Sequence, residues 1–315
     1  MRVVAIEEHH IIPELNSYLN LSRLPPPVQA RLQATAAKRL ADMDAAGIDF
    51  QVLSVVLPTP QMLPAETAVP LAAKANSELH AMVTAHPDRF AAFATLPVNV
   101  PDAAATELER AVGELGFVGA MISGTIGGRF LDDPFFSPIL DTAARLDVPV
   151  YLHPAPPPKP VADVYYTGFP EPVNRVLATG GYGWHYEASL HAVRMIIGGV
   201  FDRLPGLKVI LGHLGEGIPF HLGRIDDTLT PVAGLAKPVS AYFREHFWIT
   251  TSGYFYDGPL RLSQEVVGDE RLIFSVDYPF ADNQRASDWF GRLDLTPEAR
   301  EKIAHGTVDE LLRLR

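Results

Sequence analysis

The chain has 315 residues, of which 47% are apolar and 20% charged, and its formal net charge is −11. This charge disfavours nucleic acid and anionic membrane as partners because both need a basic face, but it allows a small anionic substrate. The absence of cysteine excludes disulfides, thiolate metal sites and cysteine nucleophiles. No signal-peptide pattern is evident, and no apolar run reaches the roughly 20 residues that span a bilayer, so a cytoplasmic location is expected.

Short apolar runs rich in β-branched residues alternate with longer helical patterns. The predicted strands are Val3–Ile6, Gln51–Val56, Phe90–Thr95, Phe117–Ile122, Val148–Leu152, Lys208–Leu211, Phe247–Thr250 and Arg271–Val276. The predicted helices include Pro70–Ala85, Asp102–Leu115, Pro134–Leu146, Glu187–Leu204 and Glu216–Thr228. Most strand segments are continuously apolar, which is typical of parallel strands buried on both faces.

Eight such strands most simply give an α/β fold of the (β/α)8 TIM-barrel type, formed as a single domain over residues 1–315. The alternative is an open doubly wound sheet, which would usually carry a glycine-rich turn after its first strand. Two long segments follow strand ends, at His10–Arg39 and at Pro154–Tyr182. The second is an insertion after the fifth strand and is interpreted as a wall or lid of an active site.

Polar side chains follow several of the predicted strands. Glu7 and His9 end the first strand and are separated by one residue, so the two-residue period directs both into the barrel and Glu8 away from it. His153, His213 and Asp277 each follow another strand. Taken singly, each residue could be a loop cap or a buried hydrogen-bonding group.

The strand ends of a closed barrel converge on one axial pocket, so these residues are predicted to lie together. Two histidines and two carboxylates, at Glu7, His9, His153 and Asp277, suit one divalent ion, Zn²⁺ or Mn²⁺. The sequence therefore predicts a metal site that leaves room for water or substrate.

Two further residues follow His213 on the next predicted helix. Glu216 is placed to accept the second imidazole N–H of His213, although a helix N-terminus also favours a glutamate for its dipole. Arg224 is suited to a substrate carboxylate, but it could equally pair with Asp226 or Asp227 on a solvated face. Aromatic residues in Tyr165–Phe169, Tyr182–Tyr186 and Trp248–Tyr256 are candidates for the wall of a flat pocket.

Four segments resemble the amidohydrolase-related decarboxylases. They are Val4–His9, Val148–Pro154, Lys208–Glu216 and Phe274–Phe280, and weaker similarity extends over nearly the whole chain. This group includes γ-resorcylate, 2,3-dihydroxybenzoate, 5-carboxyvanillate and aminocarboxymuconate-semialdehyde decarboxylases.

The resemblance implies a TIM barrel that removes CO₂, without oxidation and without an organic cofactor, from an aromatic hydroxy acid or a related enol-type acid. It implies Glu7, His9, His153 and Asp277 as metal ligands, His213 with Glu216 as a catalytic pair, and Asp277 or His213 as the acid. Arg224 matches a substrate-carboxylate contact, and a homodimer or homotetramer is expected.

The chain departs from the dihydroxybenzoate enzymes at positions that shape the pocket. His10 stands where those enzymes tend to have an aromatic residue, and Ser123-Gly124-Thr125 replaces an Asn-Gly pair. The substrate is therefore not carried over from them. A metal-dependent hydrolase of a lactone, ester or amide remains the alternative activity, since an ion in the same site can activate water. A barrel that binds a ligand without turnover is a further alternative.

Overall fold

The structure is a computed structural model that describes residues 1–18, 24–57 and 59–314. Part of the long segment His10–Arg39 therefore lies outside the described residues. The strands are β1 Val4–His10, β2 Phe50–Val55, β3 Phe90–Ala92, β4 Ala94–Thr95, β5 Ala120–Ser123, β6 Val150–His153, β7 Val209–Leu211, β8 Phe247–Thr250 and β9 Leu272–Ile273.

Helices connect consecutive strands. They are α1 Pro26–Leu32, α2 Ala36–Ala46, α3 Ala65–Ala85, α4 Pro101–Gly113, α5 Ser137–Leu146, α6 Lys159–Tyr165, α7 Glu171–Ala178, α8 Gly183–Ile197, α9 Val200–Arg203, α10 Ile218–Thr228, α11 Thr230–Ala233, α12 Val239–His246, α13 Asp257–Val267, α14 Asn283–Arg292, α15 Pro297–Glu301 and α16 Thr307–Leu312. Several begin at a side-chain cap: Thr35, Asp282 and Thr296 each accept the backbone N–H three residues later.

All paired strands are parallel and follow chain order, with β1–β2–β3 in one ladder and β4 to β9 in another. Only Phe93 separates β3 from β4. Its N–H donates to Leu53 O at 2.9 Å, and the next residue, Ala94, donates to Gly119 O at 2.8 Å. The two ladders are thus consecutive parts of one eight-strand series, and the predicted third strand is a single strand that changes partner at Phe93.

The last and first strands meet mainly through side chains. Ser275 Oγ accepts the N–H groups of Ile6 (3.2 Å) and Glu7 (2.9 Å), and His9 N donates to Tyr278 O (2.6 Å). Inside this ring a separate apolar cluster draws on successive strands, through Val4, Ile6, Phe50, Val52, Ala91, Phe93, Met121, Tyr151, Ile210, Trp248 and Ile273. The parallel series therefore encloses a packed interior, which confirms the α/β barrel.

Helix and strand bounds differ from the predictions where glycine or a left-handed backbone intervenes. The predicted helix Glu187–Leu204 is wrong as one element, because α8 ends before Gly198 and α9 starts after Gly199, whose φ is +71°. Helix α10 starts at Ile218 rather than Glu216, since Glu216 and Gly217 have φ of +54° and +82°. The predicted last strand, Arg271–Val276, is shorter in the structure, where β9 comprises only Leu272–Ile273.

Candidate metal centre and active site

An irregularity in β1 directs Glu7 and His9 into the barrel. Between the paired positions Ala5–Gln51 and Glu8–Leu53, β1 has two residues and β2 has one, so β1 carries one extra residue there. Val4 and Ile6 face the interior, and simple alternation would have pointed Glu8 inward and Glu7 outward. The extra residue reverses which side chains face the interior from that point on, as a β-bulge does, so Glu7 and His9 point inward.

Three ligand-type side chains converge at this point. Atoms of Glu7, His9 and His153 all lie within 4.8 Å of one another, and all three residues are buried. His153 Nε2 is 3.2 Å from Glu7 Oε1. Asp277 borders the group, with its Oδ1 3.3 Å from His9 Nε2. The four residues predicted as ligands therefore lie side by side, although Asp277 stands slightly outside the tight group.

The hydrogen bonds of the two histidines leave Nε2 free to bind an ion. His153 Nδ1 lies 2.6 Å from Pro154 O, a carbonyl that can only accept, so Nδ1 is the donor in this contact and Nε2 is the ring nitrogen on the side of Glu7. His9 Nδ1 lies 3.1 Å from Ser54 Oγ. Such partners fix the orientation and tautomer of metal-binding imidazoles.

The carboxylate of Glu7 is anchored at one oxygen only. Tyr151 and Ser252 donate their hydroxyl groups to Oε2, while Oε1 is buried and has no hydrogen-bond donor among the described residues. A buried carboxylate oxygen without a donor is costly unless a cation takes that place. The residues present therefore fit a divalent ion.

The charges of the site perturb one another. Burial tends to raise the pKa of Glu7, but His213, His153 and His9 together hold it well below its usual range. Burial raises the pKa of Asp277 to about 8, and the negative charge of Glu7 adds to the effect. Burial lowers the pKa of His9 to about 4, against the attraction of Glu7.

The backbone at Asp277 is held by Glu8, on the outer side of β1. Asp277 has φ of +72°, a region that residues other than glycine seldom occupy. The Glu8 carboxylate accepts the N–H groups on either side, from Val276 at 3.0 Å and Tyr278 at 3.2 Å. Gln51 also donates to it, at 3.3 Å. Glu8 thus joins the first strand to the loop that carries Asp277.

His213 and Glu216 form the pair that the resemblance implied. His213 Nδ1 lies 2.6 Å from Glu216 Oε1, and His213 Nε2 lies 4.0 Å from Glu7 Oε1. Burial opposes the charged form of His213, but Glu216 and Glu7 outweigh it and raise its pKa to about 10. His213 therefore presents an N–H to the space beside the candidate ligands.

His185 is the site residue that the sequence predictions missed. Its Nδ1 lies 2.5 Å from the second oxygen of Glu216, and its ring centroid is 5.1 Å from that of His213. In the sequence it belongs to the aromatic stretch Tyr182–Tyr186 and stands 31 residues before Glu216. No spacing rule connects a residue of α8 with the distant turn that carries Glu216.

The remaining predicted pocket residues divide into two groups. Trp184 and Tyr254 contact the site, with ring centroids 6.5 Å from His153 and 5.7 Å from His213 respectively. Tyr165 and Phe169 are exposed, and Arg271 lies over Trp248. The insertion itself contains α6 and α7 and reaches the site through its two ends, at Pro154 and Gly180.

Arg224 lies on α10 and is exposed. Among the described residues its guanidinium forms no hydrogen bond or ion pair, including with Asp226 or Asp227. The structure does not bring it against the candidate ligands, and its predicted contact with substrate stays a prediction. No described helix is long and apolar enough to cross a membrane.

The chain is similar to known proteins over nearly its full length. The amidohydrolase family model matches residues 7–314. Gamma-resorcylate decarboxylase of Rhodococcus jostii is 38% identical, over 99% of this chain and 98% of the relative. Decarboxylase orsB of Emericella nidulans is 36% identical, over 99% and 97%.

Solved structures agree with the sequence relatives. A dihydroxybenzoic acid decarboxylase from Polaromonas sp. JS666, with bound manganese and the inhibitor 2-nitroresorcinol, superposes with a TM-score of 0.93 at 34% identity. The match covers 99% of this chain and 97% of that one. With a family model and full-length relatives in agreement, the chain belongs to the amidohydrolase family.

Proposed function

We propose that this protein is a metal-dependent, non-oxidative decarboxylase of an aromatic hydroxy acid, in other words a carbon–carbon lyase. The observation that carries the proposal is the His213–Glu216 pair directed at a buried group of Glu7, His9 and His153 beside Asp277. The relatives named above support this choice of reaction, since all three are decarboxylases by their names and two of the names specify a dihydroxybenzoate.

Glu7, His9, His153 and Asp277 would hold one divalent ion, Mn²⁺ or Zn²⁺. When bound, the ion supplies a fixed positive charge for the carboxylate and phenolate oxygens of a 2-hydroxybenzoate. The orphaned Glu7 Oε1 and the free Nε2 atoms of the two histidines are the features of this chain that favour such an ion.

The chain's own contribution to the reaction is a proton. Decarboxylation adds a proton to the ring carbon that bears the carboxylate, breaks the carbon–carbon bond to release CO₂, and restores the aromatic ring. In the metal-free protein the pKa of His213 is raised to about 10 and that of Asp277 to about 8. We assign the role of acid to His213, because Asp277 must lose its proton to bind the ion; Asp277 is the alternative acid. The acid recovers its proton from water after CO₂ departs.

Glu216 keeps His213 in the orientation that this step needs. Its carboxylate accepts from Nδ1, so Nε2 is the atom that faces the substrate side. Arg224 is proposed to bind a carboxylate of the substrate, because its guanidinium is exposed and has no partner among the described residues.

The exposed face of the inserted segment supports a homodimer or homotetramer. Val164, Tyr165, Phe169, Val173 and Val176 all expose large apolar side chains on or between α6 and α7. Apolar side chains grouped in this way mark protein–protein contacts in soluble proteins.

A product assay tests the proposed reaction. Purified protein loaded with Mn²⁺ would be incubated with a panel of 2-hydroxybenzoates, including 2,6-dihydroxybenzoate and 2,4-dihydroxybenzoate, and with aromatic lactones. CO₂ and the decarboxylated phenol in equal amounts are expected from at least one hydroxybenzoate. A ring-opened acid from a lactone, with no CO₂ from any acid, would instead assign the protein to the hydrolases.

A further inference from the structure

The carboxylate of Glu216 is shared by two imidazoles, one at each oxygen. His213 Nδ1 lies 2.6 Å from Oε1, and His185 Nδ1 lies 2.5 Å from Oε2. The side chain of Glu216 is 0% exposed, so water cannot replace either donor. A buried carboxylate bonded at both oxygens is fixed in its plane, whereas bonding at one oxygen alone leaves it free to turn.

His185 is itself held from several sides. It lies in the first turn of α8, directly after the tight sequence Gly180–Gly183. A Cβ at Gly180 would come within 2.8 Å of the Trp184 ring, and one at Gly183 within 2.7 Å of Ala178 O. The second ring nitrogen, Nε2, lies 3.3 Å from Gly180 O. The two ring nitrogens of His185 thus face the Glu216 carboxylate on one side and a backbone carbonyl on the other, which fixes the orientation of the ring.

The turn that carries His213 depends on contacts from outside it. His213, Leu214 and Glu216 have φ values of +51°, +53° and +54°, a backbone region that residues other than glycine keep only when their surroundings hold them there. The carboxylate of Glu216 connects this turn to α8 through His185. Tyr254 packs against both rings, with centroids 5.3 Å from His185 and 5.7 Å from His213.

We propose that His185 is a positioning residue that fixes Glu216 and thereby keeps His213 Nε2 directed at the substrate. The proposal rests on the proposed function, in which His213 faces the reacting ring. It also gives the inserted segment a role, because the turn that ends this segment places the imidazole. His185 touches neither the candidate metal ligands nor, in this account, the substrate.

Two substitutions separate positioning from packing. His185→Phe keeps an aromatic ring but removes the donor, and we expect kcat to fall about tenfold or more while KM changes less than about twofold. His185→Asn places an amide N–H near the position of Nδ1, and we expect it to retain kcat within about threefold. Ser189→Ala is the control on the same helix, since the Ser189 hydroxyl donates to Tyr186 O, and it should match the unmodified protein.

A second readout does not use activity. In protein labelled with ¹⁵N-histidine and loaded with diamagnetic Zn²⁺, NMR should show downfield Nδ1–H signals from both His185 and His213. His185→Phe should remove one signal and shift or broaden the other, while Ser189→Ala should leave both unchanged. An unchanged His213 signal in His185→Phe would overturn the proposal, as would equal losses of kcat in the Phe and Asn variants. If no CO₂ is released by the unmodified protein, the proposed function fails, and the NMR comparison still decides whether His185 fixes Glu216.

Discussion

At the scale of single residues, substitution of His213 is the most direct test of its proposed role as the acid. Its Nδ1 is committed to Glu216 and its Nε2 faces the candidate metal ligands. In His213→Asn the amide can still reach Glu216, but no N–H remains at the Nε2 position. We expect kcat for CO₂ release to fall about 100-fold or more, with the stoichiometry of bound Mn²⁺ unchanged.

The control for this prediction is His221→Asn, an exposed histidine on α10. Its kcat should equal that of the unmodified protein. Retention of full activity by His213→Asn would transfer the role of acid to Asp277, which is the other group with a raised pKa.

A substitution of Glu8 tests how much the contact between the first strand and the segment after the last strand contributes to stability. Its carboxylate accepts from Val276 N, Tyr278 N and Gln51, all in the buried interior. Glu8→Ala leaves these donors without a partner, and each buried unsatisfied donor costs about 1–3 kcal/mol. We therefore expect the free energy of unfolding in urea to fall by about 3 kcal/mol or more, whereas Glu265→Gln, at an exposed position, should change it by less than about 0.5 kcal/mol.

At the scale of secondary-structure elements, the end of β7 must pass very close to Glu7. A Cβ at Gly212 would lie 2.9 Å from Glu7 Oε2 and 3.2 Å from Tyr151 Oη. Gly212→Ala should therefore displace the Glu7 carboxylate and weaken Mn²⁺ binding about tenfold or more, as measured by the free Mn²⁺ signal in electron paramagnetic resonance.

Gly223→Ala provides the matched control for this element. Gly223 lies within α10, and a Cβ there would meet nothing within 4 Å. Alanine in a helix interior should keep or raise stability by up to about 1 kcal/mol, with Mn²⁺ affinity unchanged. Equal affinities in both glycine variants would show that the approach to Glu7 is not tight.

Strands and helices could be predicted where neighbouring residues in the sequence determine them. Apolar runs located all eight barrel strands, and β8 has the predicted bounds, Phe247–Thr250. The break between α8 and α9 was missed because the sequence Gly198-Gly199 does not reveal that Gly199 adopts a left-handed backbone conformation. The bulge in β1 was also invisible, since it depends on the register with β2.

The residues of the candidate site were likewise predictable only where strand direction alone brings them together. Glu7, His9, His153 and Asp277 could be predicted to meet because they lie at the ends of parallel strands, whose direction is shared. His185 could not, since its contact with Glu216 depends on how the inserted segment packs back onto the barrel. Arg224 lies on a helix rather than at a strand end, so the shared direction of the strands does not predict a contact with this group.

At the scale of the whole molecule, the buried charges link stability to pH and to the metal. In the metal-free protein the pKa values of Asp277 and Glu8 are raised to about 8, and that of His213 to about 10. In the unfolded chain the carboxyls lose their protons near pH 4 and histidine near 6.5. Between pH 6.5 and about 8 the folded state therefore binds more protons than the unfolded state.

Stability must then fall as pH rises through this window. With EDTA present, we expect the free energy of unfolding in urea to decrease by roughly 1 kcal/mol or more per pH unit. Mn²⁺ should bind more tightly over the same range, because Asp277 must lose its proton to act as a ligand. A metal-free protein whose stability rises from pH 6.5 to 8 would contradict the assignment of these raised pKa values.

Deuterium incorporation tests directly whether this barrel replaces a ring carboxylate by a proton. The Mn²⁺-loaded protein would act in D₂O on the hydroxybenzoate that the product assay identifies, and the phenol formed would be examined by mass spectrometry and ¹H NMR. The account predicts one CO₂ per phenol and a single deuterium at the carbon that carried the carboxylate. Consumption of that acid without CO₂, or a phenol with no deuterium at that carbon, would contradict it.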